Sequence, residues 1–303
     1  MPALSVIIPC KNEAKNIVAC VEPLSGIADE VIVADSGSDD ETIALALGLG
    51  CRVIEREYIH SGDFKNWAIP QAKHEWVLLV DADERVTPDL ANEVKASLQQ
   101  DNHDGFWIHR LNHFMGKPVR HGVWSNDCVL RLFKRDLARY SGDTDHAEVV
   151  ISTGRVGTLQ AKLDHFTYTS YSQLFKKLDR YTSYQAEVWK AQGRKPRMYQ
   201  MLLRAPLRFI LSYVFRGGFL DGAAGLQIAA LVGFYSFLKQ ARLWELSQVG
   251  NELSQTSANK TVPMSRVDKA ASTTATLTPS HVSGVAPIAN QTQLGTAQQG
   301  LPS

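Results

Sequence analysis

The sequence has little of what marks several large classes of protein. Its 303 residues contain four cysteines with no CxxC pair and no metal-type spacing, so we expect reduced thiols in a cytoplasmic protein. No basic stretch and no small-residue cleavage site precede the first apolar segment, which argues against a signal peptide. The net charge of +1 gives no overall attraction to nucleic acid, and we expect no nucleic-acid partner.

One segment, WVLLVDADE (76–84), combines strong structural and chemical signals. An unbroken apolar run at 76–80 predicts a central strand of a parallel sheet. In open α/β sheets the ligand site lies beyond the carboxyl ends of the strands, so Asp81 and Asp83 are expected to face a cleft. Two carboxylates at this spacing suit a hard divalent cation such as Mg²⁺. A plain acidic turn is the alternative.

Strands and helices alternate through residues 1–85. The apolar runs at 4–9, 30–34 and 51–54 predict strands, and the repeated alternation predicts right-handed βαβ units in a Rossmann-like sheet. Asp35 follows the second run, where dinucleotide folds place an acid against a ribose hydroxyl. No GxGxxG motif precedes Asp35, which argues against a nicotinamide cofactor and favours a nucleotide held by carboxylates and a metal.

Four ordered motifs carry a resemblance to a known family. They are SVIIPCKNE (5–13), VIVADSGSDDET (31–42), FKNWAI (64–69) and WVLLVDADE. Together they resemble the family 2 glycosyltransferases of the GT-A fold, closely over the first 85 residues. The resemblance implies an α/β protein with a Rossmann-like mixed, mainly parallel sheet and flanking helices.

The resemblance also implies roles for particular residues. The expected contacts to a nucleotide-diphosphate sugar are Pro9, Asn12, Glu13, Asp35, Lys65, Asn66 and Asp81. A divalent metal, Mg²⁺ or Mn²⁺, is expected on Asp81 and Asp83, with His165 as a further candidate ligand. Ordinary structural alternatives remain for several of these: helix capping for Asn12 and Glu13, a turn acid for Asp35, a surface cation for Lys65 and a packed core histidine for His165.

An inverting transfer needs a carboxylate that takes the proton from the acceptor hydroxyl. Related enzymes carry a glutamate in a segment similar to HAEVVISTGRVG (146–157), and this similarity points to Glu148 as the base, with Asp145 as the second choice. A solvated acidic turn is the alternative for this segment.

The last third of the chain changes character. Residues 171–191 have the apolar spacing of an amphipathic helix, and residues 190–216 then mix seven cations with large apolar side chains and contain no acid. This mixture favours an interfacial helix on an anionic membrane surface. Residues 222–238 are uncharged but short for a membrane span, and we expect a re-entrant or surface-lying helical hairpin there. A true span near 220–240 and a soluble helical domain are the alternatives.

The expected domains are a GT-A domain at 1–168, a helical membrane-associating region at 169–248 and a disordered tail at 249–303. The tail has no aromatic residue after position 250 and is dominated by Ser, Thr, Ala, Gln and Pro. Such a segment cannot bury enough apolar surface to offset its chain entropy.

The resulting functional hypothesis is an inverting hexosyltransferase that uses a nucleotide-diphosphate sugar, with UDP as the expected nucleotide. Residues 204–229 resemble the lipopolysaccharide-core branch of the family, which implies a lipid-linked or lipopolysaccharide-core acceptor at the cytoplasmic face of the inner membrane. Two alternatives stay open: a sugar-nucleotide-binding scaffold without catalysis, and a nucleotidyltransferase. The latter usually carries an early glycine-rich phosphate loop, and PCKNEAKN (9–16) has no glycine.

Overall fold

The computed structural model describes residues 2–141 and 148–258, with side chains up to residue 248. In this part of the chain a mixed sheet of nine strands runs in the order β3-β2-β1-β4-β8-β6-β11-β5, with β7 paired to β6. Its strands are β1 Leu4–Cys10, β2 Glu30–Asp35, β3 Arg52–Glu55, β4 Trp76–Leu79, β5 Glu84–Val86, β6 Gly105–Phe114, β7 Lys117–Pro118, β8 Asp127–Lys134 and β11 Val156–Tyr168. A separate hairpin pairs β9 Ala138–Ser141 with β10 Glu148–Ile151.

The first four strands form the parallel half of the sheet, as the alternation of strands and helices predicts. Strands β3, β2, β1 and β4 all pair in parallel. The helices of this half are α1 Ile17–Val21, α2 Thr42–Gly48, α3 Ser61–Ala68 and α4 Pro88–Ser97. The predicted α/β fold class is therefore confirmed.

Strand β4 differs from the prediction in one respect. It pairs in parallel with β1 on one side but antiparallel with β8 on the other. Its side chains are apolar throughout because both faces are covered: Trp76 and Leu78 lie in one core, and Val77 and Leu79 in another. Burial of both faces explains the unbroken apolar run of β4. Such a run therefore does not require a parallel neighbour on each side of the strand.

Three helices follow the sheet: α5 Tyr171–Ala191, α6 Met198–Ile210 and α7 Gly222–Ala258, with a π-helical turn at Leu211–Phe215 after α6. The start of α5 at the predicted position is fixed by Ser170, whose side chain accepts a hydrogen bond from the Gln173 amide. A third core joins these helices to the sheet. It contains Phe114 of β6, Tyr168 of β11 and residues of α5 and α7.

The helical hairpin expected within 222–238 is absent, since this segment is the first half of the single helix α7. Two glycines of this segment allow close packing. A Cβ on Gly233 would lie 2.8 Å from the Ala205 carbonyl of α6, and one on Gly225 would overlap the Gly218 carbonyl. In the described part of the chain one stretch, Gly218–Gln248, is long and apolar enough to cross a membrane, and 50% of its apolar window is buried.

Helix α7 continues through 249–258, where we expected the disordered tail to begin. Residues 259–303 of that predicted tail lie outside the described residues.

Helix α6 has no buried residue. Large apolar side chains of this helix and of the turn after it are exposed, and we refer to them as the α6 apolar face: Leu202, Leu203, Leu207, Ile210, Val214 and Phe215.

Candidate active site

A cleft of about 810 Å³ opens where β1 and β4 end, and the walls on its other sides come from β6, β8, β11 and α5. Parallel strands that end at one edge bring their following loops together, which is why residues far apart in sequence meet there. The predicted site residues that line the cleft are Pro9, Glu13, Lys65, Asp81, Asp83 and His165.

Asn12 and Asp35 lie in the same loops but do not line the cleft. The Asp35 side chain is fully buried, and its Oδ1 accepts hydrogen bonds from the amides of Gly37 at 2.8 Å and Ser38 at 2.7 Å. Asn12 has a positive φ of 55°, and its Oδ1 accepts a hydrogen bond from the Asp39 amide at 2.9 Å. In this structure Asn12 ties the loop after β1 to the loop after β2, and Asp35 orders the loop after β2, so both residues position the cleft wall.

Glu13 follows the same loop and faces the cleft. Its Oε2 accepts a hydrogen bond from the Asn16 side chain at 2.7 Å, and its amide donates to Thr42 Oγ1 at 2.8 Å. Burial raises the pKa of Glu13, and the nearby Asp83 carboxylate acts in the same direction. Glu13 is therefore a carboxyl group held in place at the edge of an acidic wall.

Asp81 is paired with cations at the carboxyl end of β4. Arg131 of β8 donates a hydrogen bond to Asp81 Oδ2, and Lys65 Nζ lies 3.8 Å from Oδ1. Burial alone would raise the pKa of Asp81, but the two cations together hold the pKa well below its usual range. Asp81 therefore stays ionised, and its charge is already partly balanced by the protein.

Asp83 faces His165 instead of a permanent cation. The His165 Nε2 and Asp83 Oδ2 atoms are 3.7 Å apart. Burial would raise the pKa of Asp83, but the interaction with His165 lowers the pKa on balance.

The tautomer of His165 follows from its other nitrogen, which lies 2.7 Å from Asn112 Oδ1. The Asn112 amide nitrogen donates to the Trp124 carbonyl at 3.0 Å and to Asp127 Oδ2 at 3.1 Å, and this fixes which end of the amide faces the histidine. Because Oδ1 can only accept, His165 Nδ1 carries a proton. Nε2 is therefore the nitrogen that faces Asp83: it donates to the carboxylate when the imidazole is protonated and presents a lone pair when the imidazole is neutral.

A cation would find a carboxylate and an oriented imidazole at Asp83 and His165. A ligating histidine usually donates its other ring N–H to a carbonyl or carboxylate oxygen, and His165 has this arrangement with Asn112. In the described part of the chain no three His, Cys, Asp or Glu side chains come together as a ready-made metal site. The donor set therefore fits a metal that also takes oxygens from its substrate.

A buried network of charges that the sequence analysis missed lies behind the acidic wall. Arg110 of β6 makes two hydrogen bonds of 2.9 Å to the Asp127 carboxylate and a third of 3.3 Å to Glu84. Glu84 is fully buried, and its Oε2 accepts a hydrogen bond from the Asp81 amide at 2.9 Å. The available signal was a set of polar side chains inside otherwise apolar strands, at Arg110, Asn112 and Arg131.

Lys65 and Asn66 of α3 have different surroundings. Lys65 Nζ lies 5.1 Å from the centre of the Tyr140 ring and faces the cleft. Asn66 donates to the Tyr140 carbonyl at 2.9 Å and accepts from the Tyr140 amide at 2.8 Å, so it joins α3 to β9.

The two candidate bases lie on or beside the β9–β10 hairpin. Glu148 is the first residue of β10, has an exposed side chain and is not among the described residues of the cleft wall. Asp145 lies outside the described residues. The choice between them stays a prediction.

The mixed sheet and the cleft at its strand ends define the chain as a GT-A-type α/β protein. It belongs to glycosyl transferase family 2, whose model matches residues 5–157. The family predicted from the sequence is thus confirmed.

Relatives of similar length support the assignment. An uncharacterized glycosyltransferase of Rickettsia typhi is 30% identical over 82% of this chain and 88% of that protein. The lipopolysaccharide core biosynthesis glycosyltransferase LpsC of Rhizobium meliloti is 27% identical over 80% of this chain and 92% of its own length. Among solved structures, S. aureus TarS 1–349 in complex with UDP-GlcNAc covers 82% of this chain and 92% of that chain, with 16% identity and a TM-score of 0.43.

Proposed function

We propose that this chain is an inverting hexosyltransferase that moves a sugar from a nucleotide-diphosphate sugar, with UDP as the nucleotide, to a saccharide acceptor. The observation that carries the proposal is the cleft itself, where Glu13, Asp81, Asp83 and His165 share one wall. Nucleotide ligands of α/β sheets bind beyond the carboxyl ends of the strands, which is where this wall lies.

A divalent metal ion, Mg²⁺ or Mn²⁺, would be held by Asp83 and His165 together with the donor diphosphate. When bound, such an ion stabilises the negative charge on a departing phosphate. Asp81, the other acid of the motif, is paired with Arg131 and Lys65 and contributes to this region as part of a charge-balanced group.

Other residues of the chain have the remaining roles in the proposed reaction. Lys65 lies at the cleft surface, where its charge attracts the donor phosphates, while Arg131 is buried and keeps Asp81 anionic. Glu148, or Asp145 as the second choice, accepts the proton of the acceptor hydroxyl. The hydroxyl oxygen then attacks the anomeric carbon opposite the departing nucleotide, and this geometry inverts the configuration.

The proposed acceptor is lipid-linked or a lipopolysaccharide-core saccharide, and the proposed location is the cytoplasmic face of the inner membrane. LpsC of Rhizobium meliloti, by its name, acts in lipopolysaccharide core biosynthesis. The α6 apolar face is bordered by Arg204, Arg208 and Arg216, a combination that suits the surface of an anionic membrane. Enzyme and acceptor would then meet on the same surface.

The proposal is tested by thermal stabilisation with UDP, GDP, ADP and CDP, each with and without Mn²⁺. A ligand that binds only the folded protein at 100 times its Kd adds about 2.7 kcal/mol to the free energy of unfolding. We expect stabilisation by UDP with metal and loss of that gain in Asp83→Ala, because this variant keeps the buried Asp81 pair. Asp39→Ala, at an exposed loop acid, is the matched control.

No stabilisation by any of the four nucleotides would contradict the transferase proposal. Stabilisation that is identical with and without Mn²⁺, and unchanged in Asp83→Ala, would remove the metal from it. A protein that binds UDP but does not turn over a UDP-sugar would point to the scaffold alternative.

A further inference from the structure

The cleft has a cationic wall on its C-terminal side. Lys177 and Arg180 of α5 and Arg216, which follows the π-helical turn, all line it. None of the three lies within 4.0 Å of a carboxylate in the part of the chain that the structure describes, and the charge of Lys177 acts only at longer range, to lower the pKa of Glu13 and of Asp83. Lys177 Nζ lies 5.3 Å from the centre of the Tyr168 ring, and the Arg180 guanidinium lies 5.1 Å from that of Tyr181. These contacts orient the cations without neutralising them.

The two arginines beside the acidic wall are different, because the protein balances their charge itself. Arg110 is paired with Asp127 and Glu84, and Arg131 with Asp81. The acid closest in sequence to Arg180 is Asp179, which is paired with Arg242 of α7 instead. The wall formed by α5 therefore keeps a net positive charge facing the cleft.

Arg216 is fixed beside this wall by its backbone. Its carbonyl oxygen accepts a hydrogen bond from the Gly122 amide at 2.9 Å, at the start of the short turn that carries Trp124. The Trp124 and Tyr168 rings, both of which line the cleft, are 5.6 Å apart. The cationic wall thus adjoins the aromatic cluster of the third core.

We propose that Lys177, Arg180 and Arg216 bind an anionic group, a phosphate or a carboxylate, carried by the acceptor saccharide. This inference rests on the proposed function and specifies its acceptor. The three cations face the cleft without acidic partners, and charge-assisted hydrogen bonds to an anion would satisfy them. The residue before Arg216 is Phe215, 76% exposed on the α6 apolar face, so the anion site adjoins the surface proposed to contact the membrane.

The donor diphosphate is the competing occupant of this site. A donor held at the ends of β1 and β4 places its phosphates by Asp83 and His165, and an acceptor anion on the α5 wall would leave that position free. Binding of a second anion to protein that is already saturated with nucleotide therefore separates the two possibilities.

The test measures binding of inorganic phosphate by calorimetry, on the full chain saturated with UDP and Mn²⁺ and on the chain without nucleotide. We expect the Lys177→Gln/Arg180→Gln variant to bind phosphate at least about tenfold more weakly, because it loses two charge-assisted contacts. Lys176→Gln/Lys195→Gln removes the same charge from exposed positions outside the cleft and should bind as the wild type does. The affinity for UDP should be equal in all three proteins.

Equal phosphate affinity in the two double variants, or no phosphate binding by the wild type, would overturn the inference. A parallel loss of UDP affinity would also overturn it, because the cations would then serve the donor. Loss of binding to vesicles of phosphatidylglycerol and phosphatidylcholine in the Lys177/Arg180 variant would assign them to a lipid headgroup instead. Failure of UDP to bind any of the proteins contradicts the proposed function, while the phosphate measurement without nucleotide still tests the anion site.

Discussion

In most proteins charged side chains are exposed and large apolar side chains are buried. The strand-end cleft and the α6 apolar face each depart from this distribution, but in opposite ways. Behind the cleft, the protein buries charge, with Glu84 fully buried and Arg131 6% exposed. On α6 it exposes apolar groups, with Leu202 67% and Leu207 62% exposed. The buried charges balance one another within the chain, while the apolar side chains have no such partner in the described residues. The difference teaches that the charges behind the cleft are organised by the protein itself, whereas the α6 apolar face has the exposure expected of the membrane contact that we propose.

The largest expected effect comes from breaking the balance of charge behind the cleft. Arg131→Met removes one of the two cations that are paired with each of Asp81 and Glu84, and removal of one member of a buried pair destabilises by about 3–5 kcal/mol. Urea denaturation followed by circular dichroism measures the loss. Lys73→Met breaks the pair with Glu30 at a lysine side chain that is 69% exposed, and should change stability by less than about 1 kcal/mol.

A second substitution sharpens this test. Adding Asp81→Asn to Arg131→Met removes one of the two acids that lost this cation and should restore part of the lost stability. If Arg131→Met is no more destabilising than Lys73→Met, the buried network does not have the energetic role that we assign to it.

An effect of intermediate size is expected on the apolar side of the comparison. Leu202→Asp/Leu207→Asp should weaken binding to anionic vesicles on the order of 100-fold, at about 1.5 kcal/mol for each buried leucine. Vesicle co-sedimentation measures the change. The control Leu47→Asp/Ile59→Asp changes two leucine-sized side chains that are 58% and 67% exposed and lie far from α6 in the sequence. Equal binding of the two variants would argue against the α6 apolar face as the membrane contact.

The smallest expected effect is on how the free energy of unfolding changes at acidic pH. The pKa of Asp83 is lowered in the folded protein, through His165 and against the opposing effect of burial. A lowered folded-state pKa stabilises above the unfolded value of about 3.9, and this contribution is lost as the pH falls through the folded-state pKa. Unfolding free energy measured from pH 6 to pH 2 should therefore fall less steeply in Asp83→Asn than in the wild type. The exposed-acid control Glu41→Gln should retain the wild-type slope, and equal slopes in all three proteins would contradict this assignment.

The parallel half of the fold was predictable because its signals are local. Apolar runs that alternate with helices specify β1, β2 and β4, and parallel strands that end at one edge necessarily bring their loops together. Asp83 and Asp81 could therefore be placed in one cleft from the sequence. His165 was placed there only by the family resemblance, because a single histidine after an apolar run has no spacing signal.

Other features could not be predicted because they depend on strand pairing. Arg110 and Asp127 meet only because β6 and β8 are antiparallel neighbours, and an apolar run does not reveal which strand lies beside it. Asp35 occurs in the expected loop, but its carboxylate is oriented inward by two backbone amides, which is a matter of local geometry. The close packing at Gly225 and Gly233 could not be predicted because a sequence does not show how closely another backbone approaches.

The third core determines the minimum length of chain that can form the cleft. Phe114, Trp124 and Tyr168 belong to the GT-A part of the sequence, yet they are buried by Leu174 and Leu178 of α5 and by residues of α7. A chain shortened to the predicted boundary at residue 168 would expose this aromatic cluster and lose the α5 wall of the cleft. We therefore expect α5 and α7 to unfold together with the GT-A part of the chain, and not as a separate membrane anchor.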